Sequence, residues 1–132
     1  MEFHAAERDK KIHQFEKLSN KIIGAAIEVH SELGPGFLES IYEEALKLEL
    51  SEHDLKFEAQ KEINIEYLGV LVGTHRLDII VEDKIIIELK AVKDLTDIHF
   101  VQLRSYLKTI DLKIGPLLYF SKPTLEIRRV VN

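Results

Sequence analysis

Apolar residues in the first quarter of the chain recur at helical spacing. Phe15, Leu18, Ile22, Ala26, Val29 and Leu33 form one stripe, which predicts an amphipathic helix ending near Leu33. Gly24-Ala25-Ala26 gives that helix a smooth patch where another element can pack closely. Gly34-Pro35-Gly36 stops it, because glycine supplies a left-handed exit and proline cannot continue the helix. A second helix is expected from about Leu38 to His53, with Leu38, Ile41, Ala45 and Leu48 facing inward.

From Lys61 the period changes to two. Ile63, Ile65 and Tyr67 alternate with Glu62, Asn64 and Glu66, the pattern of a half-buried strand. Leu68-Gly69 turns the chain into a hairpin over Val72 to Val92, rich in the β-branched residues that strands favour. Thr96 can cap a third helix running to about Ile110, with Phe100, Leu103, Leu107 and Ile110 as its apolar face. Gly115-Pro116 leads to a strand Leu117 to Phe120, and a last strand follows from Leu125 to Val131. The order α-α-β-β-β-α-β-β predicts an α/β or α+β sandwich around a mixed sheet.

Three charges break the most apolar stretch, LDIIVEDKIIIELKAV: Asp78, Glu88 and Lys90. Ionised groups buried there cost several kcal/mol each unless they are paired. Alternation puts Glu88 and Lys90 on one face and Ile85, Ile87, Leu89 and Ala91 on the other. The place of Asp78 depends on the turn. A two-residue loop pairs it with Ile87, whereas a three-residue loop Glu82-Asp83-Lys84, or a single bulge, sets it opposite Glu88. In the second case two carboxylates repel unless a cation lies between them, and hard ions such as Mg2+ take such ligands. A Glu-x-Lys on the wet face of an edge strand is ordinary; an aspartate inside a strand, preceded by Arg76, makes the combination more specific.

Composition narrows the classes. The chain has 132 residues, enough for one compact domain, and no cysteine, which removes disulfides, thiolate metal sites and cysteine nucleophiles and suits a cytoplasmic location. No apolar run approaches a membrane span, and the N-terminus is charged throughout. The net charge of −5 argues against coating nucleic acid by bulk attraction. Residues 100–132, however, hold 6 Lys/Arg against 2 Asp/Glu, so a polyanion would be met locally there. Arg104, Lys108, Lys113, Arg128 and Arg129 are the candidate phosphate contacts.

Asp78 with Glu88-Leu89-Lys90 resembles the PD-(D/E)xK phosphodiesterase superfamily, although Leu77 stands where the motif has proline. More narrowly, Gly36-Phe37-Leu38-Glu39-Ser40-Ile41-Tyr42 resembles the motif of the small GxxExxY family. The likeness extends through AAIEVHSELGPGFLESIYEEAL, HRLDIIVEDKIIIELKAV and IHFVQLRSYLK, nearly everything from Leu18 on. It implies a restriction-endonuclease-like core over residues 1–132, with 1–17 as a helical extension.

The resemblance also implies roles. Asp78, Glu88, the backbone carbonyl of Leu89 and the additional acid Glu39 would hold Mg2+ (or Mn2+), and Lys90 would orient water or stabilise the transition state. Gln102 and Tyr106 resemble the Gln-x-x-x-Tyr of the exonuclease-like branch, where glutamine reaches the site and tyrosine faces substrate. His99 lies on the same stripe; Tyr42, Arg76, Arg104 and Lys108 complete the expected nucleic-acid contacts. His30 reads instead as a capping or packing histidine. The expected partner is nucleic acid, DNA before RNA, with a possible homodimer supplying grip and no membrane contact. A non-catalytic binding module of the same fold, or a hydrolase of another phosphate substrate, is the alternative.

Overall fold

The structure is a computed structural model, describing the backbone from Glu2 and the side chains of Lys10 and residues 13–132. Of the expected extension 1–17, the side chains of residues 1–9, 11 and 12 lie outside the described residues. The elements follow the expected order: α1 Glu2–Leu33, α2 Glu39–Glu52, β1 Phe57–Tyr67, β2 Val70–Val81, β3 Ile85–Lys90, α3 Asp97–Thr109, β4 Ile114–Tyr119 and β5 Glu126–Val131. The sheet runs β1-β2-β3-β4-β5. All neighbours are antiparallel except β3 and β4, which α3 connects.

Helices α1 and α2 cover one face of the sheet. Ile22, Ala26 and Val29 of α1 and Tyr42, Leu46 and Leu50 of α2 pack on Ile79, Val81, Ile85, Ile87, Leu89 and Leu118. Helix α3 covers the other face, with Leu103 and Leu107 on Leu77, Ile86, Leu117 and Val130. The inward face of α2 differs from the expected one. Tyr42, Leu46 and Leu50 are fully buried, whereas Leu38 and Leu48 are 72% and 71% exposed. Tyr42 sets that phase: its hydroxyl donates to the Gly34 carbonyl (2.6 Å) and accepts from the Phe37 amide (3.2 Å), and its ring stacks on Phe120. Leu38 precedes the helix in extended backbone, so it never joins the stripe.

Strand β1 begins earlier than its alternation suggests, at Phe57, because the strand changes face midway. Phe57 and Ala59 join the core under α1 and α2, while Ile63 and Ile65 join the one under α3. The switch occurs at Gln60, in left-handed backbone (φ +54°). In register across from Gln60 stands Asp78, and β2 switches there too: Leu77 packs under α3 and Ile79 under α1 and α2. The sharp twist at Gln60 and Asp78 is the feature that builds the site. Beyond it, residues 62–76 form a two-stranded ribbon to which β3 adds no third strand.

Strand β4 also starts earlier than expected and takes in Gly115 and Pro116. A Cβ at Gly115 would stand 2.6 Å from the Ile86 carbonyl, so only glycine fits this close approach to β3. Pro116 has no N–H to donate, and the β3–β4 ladder is interrupted between its Ile85–Ile114 and Glu88–Leu117 pairs.

Candidate active site

The β2–β3 turn takes the three-residue form. Val81 pairs with Ile85, Ile80 with Ile86 and Ile79 with Ile87, so Asp78 comes opposite Glu88. There the ladder stops, and the carboxylates fill the break. The Leu89 amide donates to Asp78 Oδ2 (2.9 Å), and the Asp78 amide donates to Glu88 Oε1 (3.3 Å). Each acid thus satisfies a backbone donor that a continued ladder would have paired. Glu39, in the first turn of α2, reaches over the end of β3 and accepts from the Ala91 amide (3.0 Å). Gly34 (φ +69°), Gly36 (φ +108°) and the Tyr42 hydroxyl shape the loop that delivers it.

Burial makes this acidic group expensive. Glu88 is only 6% exposed. Desolvation, and after it the charge of Asp78, push its carboxyl up to about 8. Desolvation also raises Asp78, opposed by hydrogen bonds from Leu89 and Glu88 and by the Lys90 charge; Glu39 pushes it further up. Two carboxyls in this relation share one proton near neutrality, or give it up to a cation.

A hard divalent cation fits what remains free. Asp78 Oδ1 and Glu88 Oε2 take no backbone hydrogen bond among the described residues, and the two carboxyls face each other. The Leu89 N–H points toward β2, and its carbonyl shares that side of the strand. Among the described residues no three His, Asp or Glu side chains form a ready metal cluster. The fit therefore rests on two carboxylates and a carbonyl, a sparse set of the kind with which Mg2+ keeps several waters.

Beside the acids, between the sheet and α3, lies a cleft of about 100 Å3 lined by His75, Glu88, Lys90, His99, Gln102, Leu103 and Tyr106. Lys90 shares the face of Glu88, as alternation predicts. His99 occupies the third position of α3, where its Nδ1 accepts from the Thr96 amide (3.1 Å), so the neutral ring carries its proton on Nε2. Burial, then the charges of Glu88 and Asp78, raise the Tyr106 hydroxyl, which keeps it a donor. A larger cleft of about 580 Å3 lies between the α1 flank and the β2–β3 turn; Glu82 is its one acid, and neither Asp78 nor Glu88 lines it.

The structure therefore brings together Glu39, Asp78, Glu88, Leu89, Lys90, Gln102, Tyr106 and His99. It does not bring Tyr42, which is fully buried beneath the Gly34–Phe37 loop and cannot meet nucleic acid; it clamps that loop instead. Arg76 is exposed on the ribbon, in register with Glu62, and does not line the cleft. Arg104 and Lys108 lie on the exposed flank of α3, Arg104 with its Nε on the Val131 carbonyl (3.4 Å). His30 is a packing residue, its Nε2 near the carbonyls of Lys122 (2.9 Å) and Phe120 (3.2 Å).

Two neighbours of the site escaped sequence reasoning. Glu43 lies one turn after Glu39, accepts from Gln60 Nε2 (2.7 Å) and feels the Asp78 charge, with burial raising its carboxyl. Its i, i+4 spacing from Glu39 was the available signal. His75 opens the stretch HRLDIIVEDKIIIELKAV, but alternation assigns it to the face opposite Asp78 and only the twist brings it to the cleft.

The pattern of the PD-(D/E)XK nuclease superfamily matches residues 16–130. No curated protein matches the chain. Among solved structures, the crystal structure of SSO0001 is similar in fold, with a TM-score of 0.53 and 24% identity over 70% of this chain. The aligned part covers 49% of that protein, so the present chain spans about half its length. Matched over most of its length and folded around the same kind of mixed sheet, the chain belongs to the PD-(D/E)XK nuclease superfamily.

Proposed function

We propose that this protein is a metal-dependent nuclease of the GxxExxY type, hydrolysing phosphodiester bonds of nucleic acid, DNA before RNA. The observation that carries the proposal is the break in the β2–β3 ladder, where Asp78 and Glu88 oppose each other, each with one oxygen not taken by a backbone amide. Superfamily membership supports the substrate class. A divalent ion, Mg2+ or Mn2+, would supply Lewis acidity toward water and the phosphoryl oxygens. Asp78, Glu88 and the Leu89 carbonyl hold it, with Glu39 closing the acidic edge. Lys90 stabilises negative charge growing on the phosphoryl group, a task suited to a compact ammonium. Gln102 supports substrate or water from α3 without adding charge. Arg104 and Lys108 serve as backbone phosphate contacts on the exposed side of that helix.

The test is cleavage of single- and double-stranded DNA and RNA with Mg2+ or Mn2+, together with calorimetric metal titration, on the wild type and Glu88→Gln. Metal binding and cleavage in the wild type, both lost in a folded Glu88→Gln protein, are the expected result. Cleavage retained by Glu88→Gln would sink the assignment. The absence of a three-residue metal cluster among the described residues favours one rival, a module that keeps the fold and cleaves nothing. That rival predicts a silent wild type with every ion.

A homodimer finds its support in the ribbon. Tyr67, Leu68, Val70, Leu71 and Val72 at its tip are 55–87% exposed, and two strands alone are marginal in water. Lys61 and Arg76 balance Glu62 and Glu66 along residues 61–76, so the tip suits a second copy of the chain better than a polyanion.

A further inference from the structure

His75 opens the stretch HRLDIIVEDKIIIELKAV but is not among the acids and lysine of the motif, yet it stands in the cleft with Glu88 and Lys90. Its ring lies on that of Tyr106, centroids 3.8 Å apart and planes 19° from parallel. Such a stack leaves the imidazole little freedom of tilt and takes up one face of the phenol, so Tyr106 cannot use that face for a base. The ring edge is different. Neither nitrogen of His75 has a protein hydrogen-bond partner among the described residues, and the ring is only partly buried, so its polar edge remains available.

Packing alone would account for a histidine on a tyrosine. Against that stands the company it keeps. Lys90 Nζ, the Gln102 amide, the Tyr106 hydroxyl and His99 Nε2 also line this cleft without a protein partner among the described residues. Five donor-bearing side chains converge on a space of about 100 Å3 whose one acid among the described residues is Glu88. That space suits a single phosphate-sized group, and the donors suit its oxygens. Burial lowers the His75 ring from its ordinary value, with Asp78 and Lys90 pulling in opposite directions, which favours the uncharged ring.

We propose that His75 is a further catalytic residue, donating a hydrogen bond to a non-bridging oxygen of the phosphoryl group under attack, and that Tyr106 is the positioning residue that fixes its ring. The inference rests on the nuclease reading and extends it to a residue outside the motif. No proton is transferred at His75; it stabilises charge beside Lys90, as a preorganised donor does.

The test separates the stack from the hydrogen bond. His75→Phe keeps a ring on Tyr106 and loses the N–H; His75→Gln keeps a donor and loses the stack. In folded protein His75→Phe should lower kcat by about 100-fold with KM little changed, and His75→Gln should recover part of that. Tyr106→Leu should lower kcat, Tyr106→Phe should restore most of it, and the Tyr106→Leu loss should not multiply with that of His75→Phe. Unchanged kcat in both His75 variants, or fully multiplicative losses, would overturn the proposal.

A second readout does not need turnover: the imidazole 15N resonances of His75 during titration with thymidine 5′-monophosphate and Mg2+. A shift in the wild type that Tyr106→Leu abolishes supports the contact; if the wild type cleaves nothing, the phosphate contact stands, while the nuclease reading and with it the catalytic role of His75 fall. An active enzyme whose His75 resonances stay still, with kcat intact in the variants, overturns the inference alone. A silent enzyme with still resonances overturns both.

Discussion

The two faces of the sheet treat their polar groups in opposite ways. Under α1 and α2, two buried polar side chains are tied to the protein: His30 lies against the carbonyls of Phe120 and Lys122, and the Tyr42 hydroxyl bridges Gly34 and Phe37. Under α3, His75, Lys90, Gln102 and Tyr106 converge on a cleft, and their polar atoms find no hydrogen-bond partner among the described residues. Between the faces, at the end of β3, Asp78, Glu88 and Glu39 each give one oxygen to a backbone amide and leave the other clear of the backbone. A polar group whose bonds are all internal holds the fold, and one whose bonds are left open is arranged for something that arrives. Tyr42 and Tyr106 carry the contrast: the same residue type is a clamp on one face and a platform on the other.

The contrast breaks most visibly at Tyr42. Tyr42→Ala removes a fully buried ring and should cost about 3–5 kcal/mol. Tyr42→Phe, which loses only the two hydroxyl bonds, should cost about 1–2 kcal/mol, with metal-dependent cleavage retained in the folded fraction. Denaturant titration and cleavage assays on the same samples check both; activity lost without stability would place Tyr42 with the site after all.

A smaller effect comes from the acids. The Glu88 carboxyl titrates at about 8 in the folded chain against 4.5 for an ordinary glutamate. Between those values the folded state binds a proton that the unfolded state has released, so stability declines as pH rises through the window. In EDTA the thermal midpoint should therefore fall from pH 5 to pH 8.5 more steeply in the wild type than in Glu88→Gln. Mg2+ at the upper pH should lift the wild type alone. Parallel profiles for the two proteins would mean that the carboxyls are not coupled as described.

The smallest effect belongs to the exposed flank of α3. Lys108→Ala should weaken DNA binding only a few-fold and flatten the dependence of log K on log salt by about 0.9, with stability unchanged. A variant with an unaltered salt slope would remove Lys108 from the phosphate contacts.

Much of this was legible without coordinates. The element order follows from local periodicity, and Glu88 and Lys90 share a face because strand side chains alternate. Asp78 was legible only up to the length of a turn, since two loop lengths put it on opposite faces. The phase of α2 was misread because its apolar residues outnumber one stripe: Leu38, Ile41 and Leu48 compete with Tyr42, Leu46 and Leu50, and burial selects the second set. Tyr42 was assigned to substrate by motif, whereas its hydroxyl is consumed by the Gly34–Phe37 loop.

The sequence by itself determined the elements, their order and the charged pattern on β3, all of which rest on interactions within a few residues. The tertiary structure alone decided the twist at Gln60 and Asp78, a left-handed residue on one strand facing a broken ladder on the next. No local propensity predicts that turnover of faces, because it is stabilised by cores on both sides of the sheet. It opens the ladder for the carboxylates, and it carries His75 across to Tyr106 and Lys90.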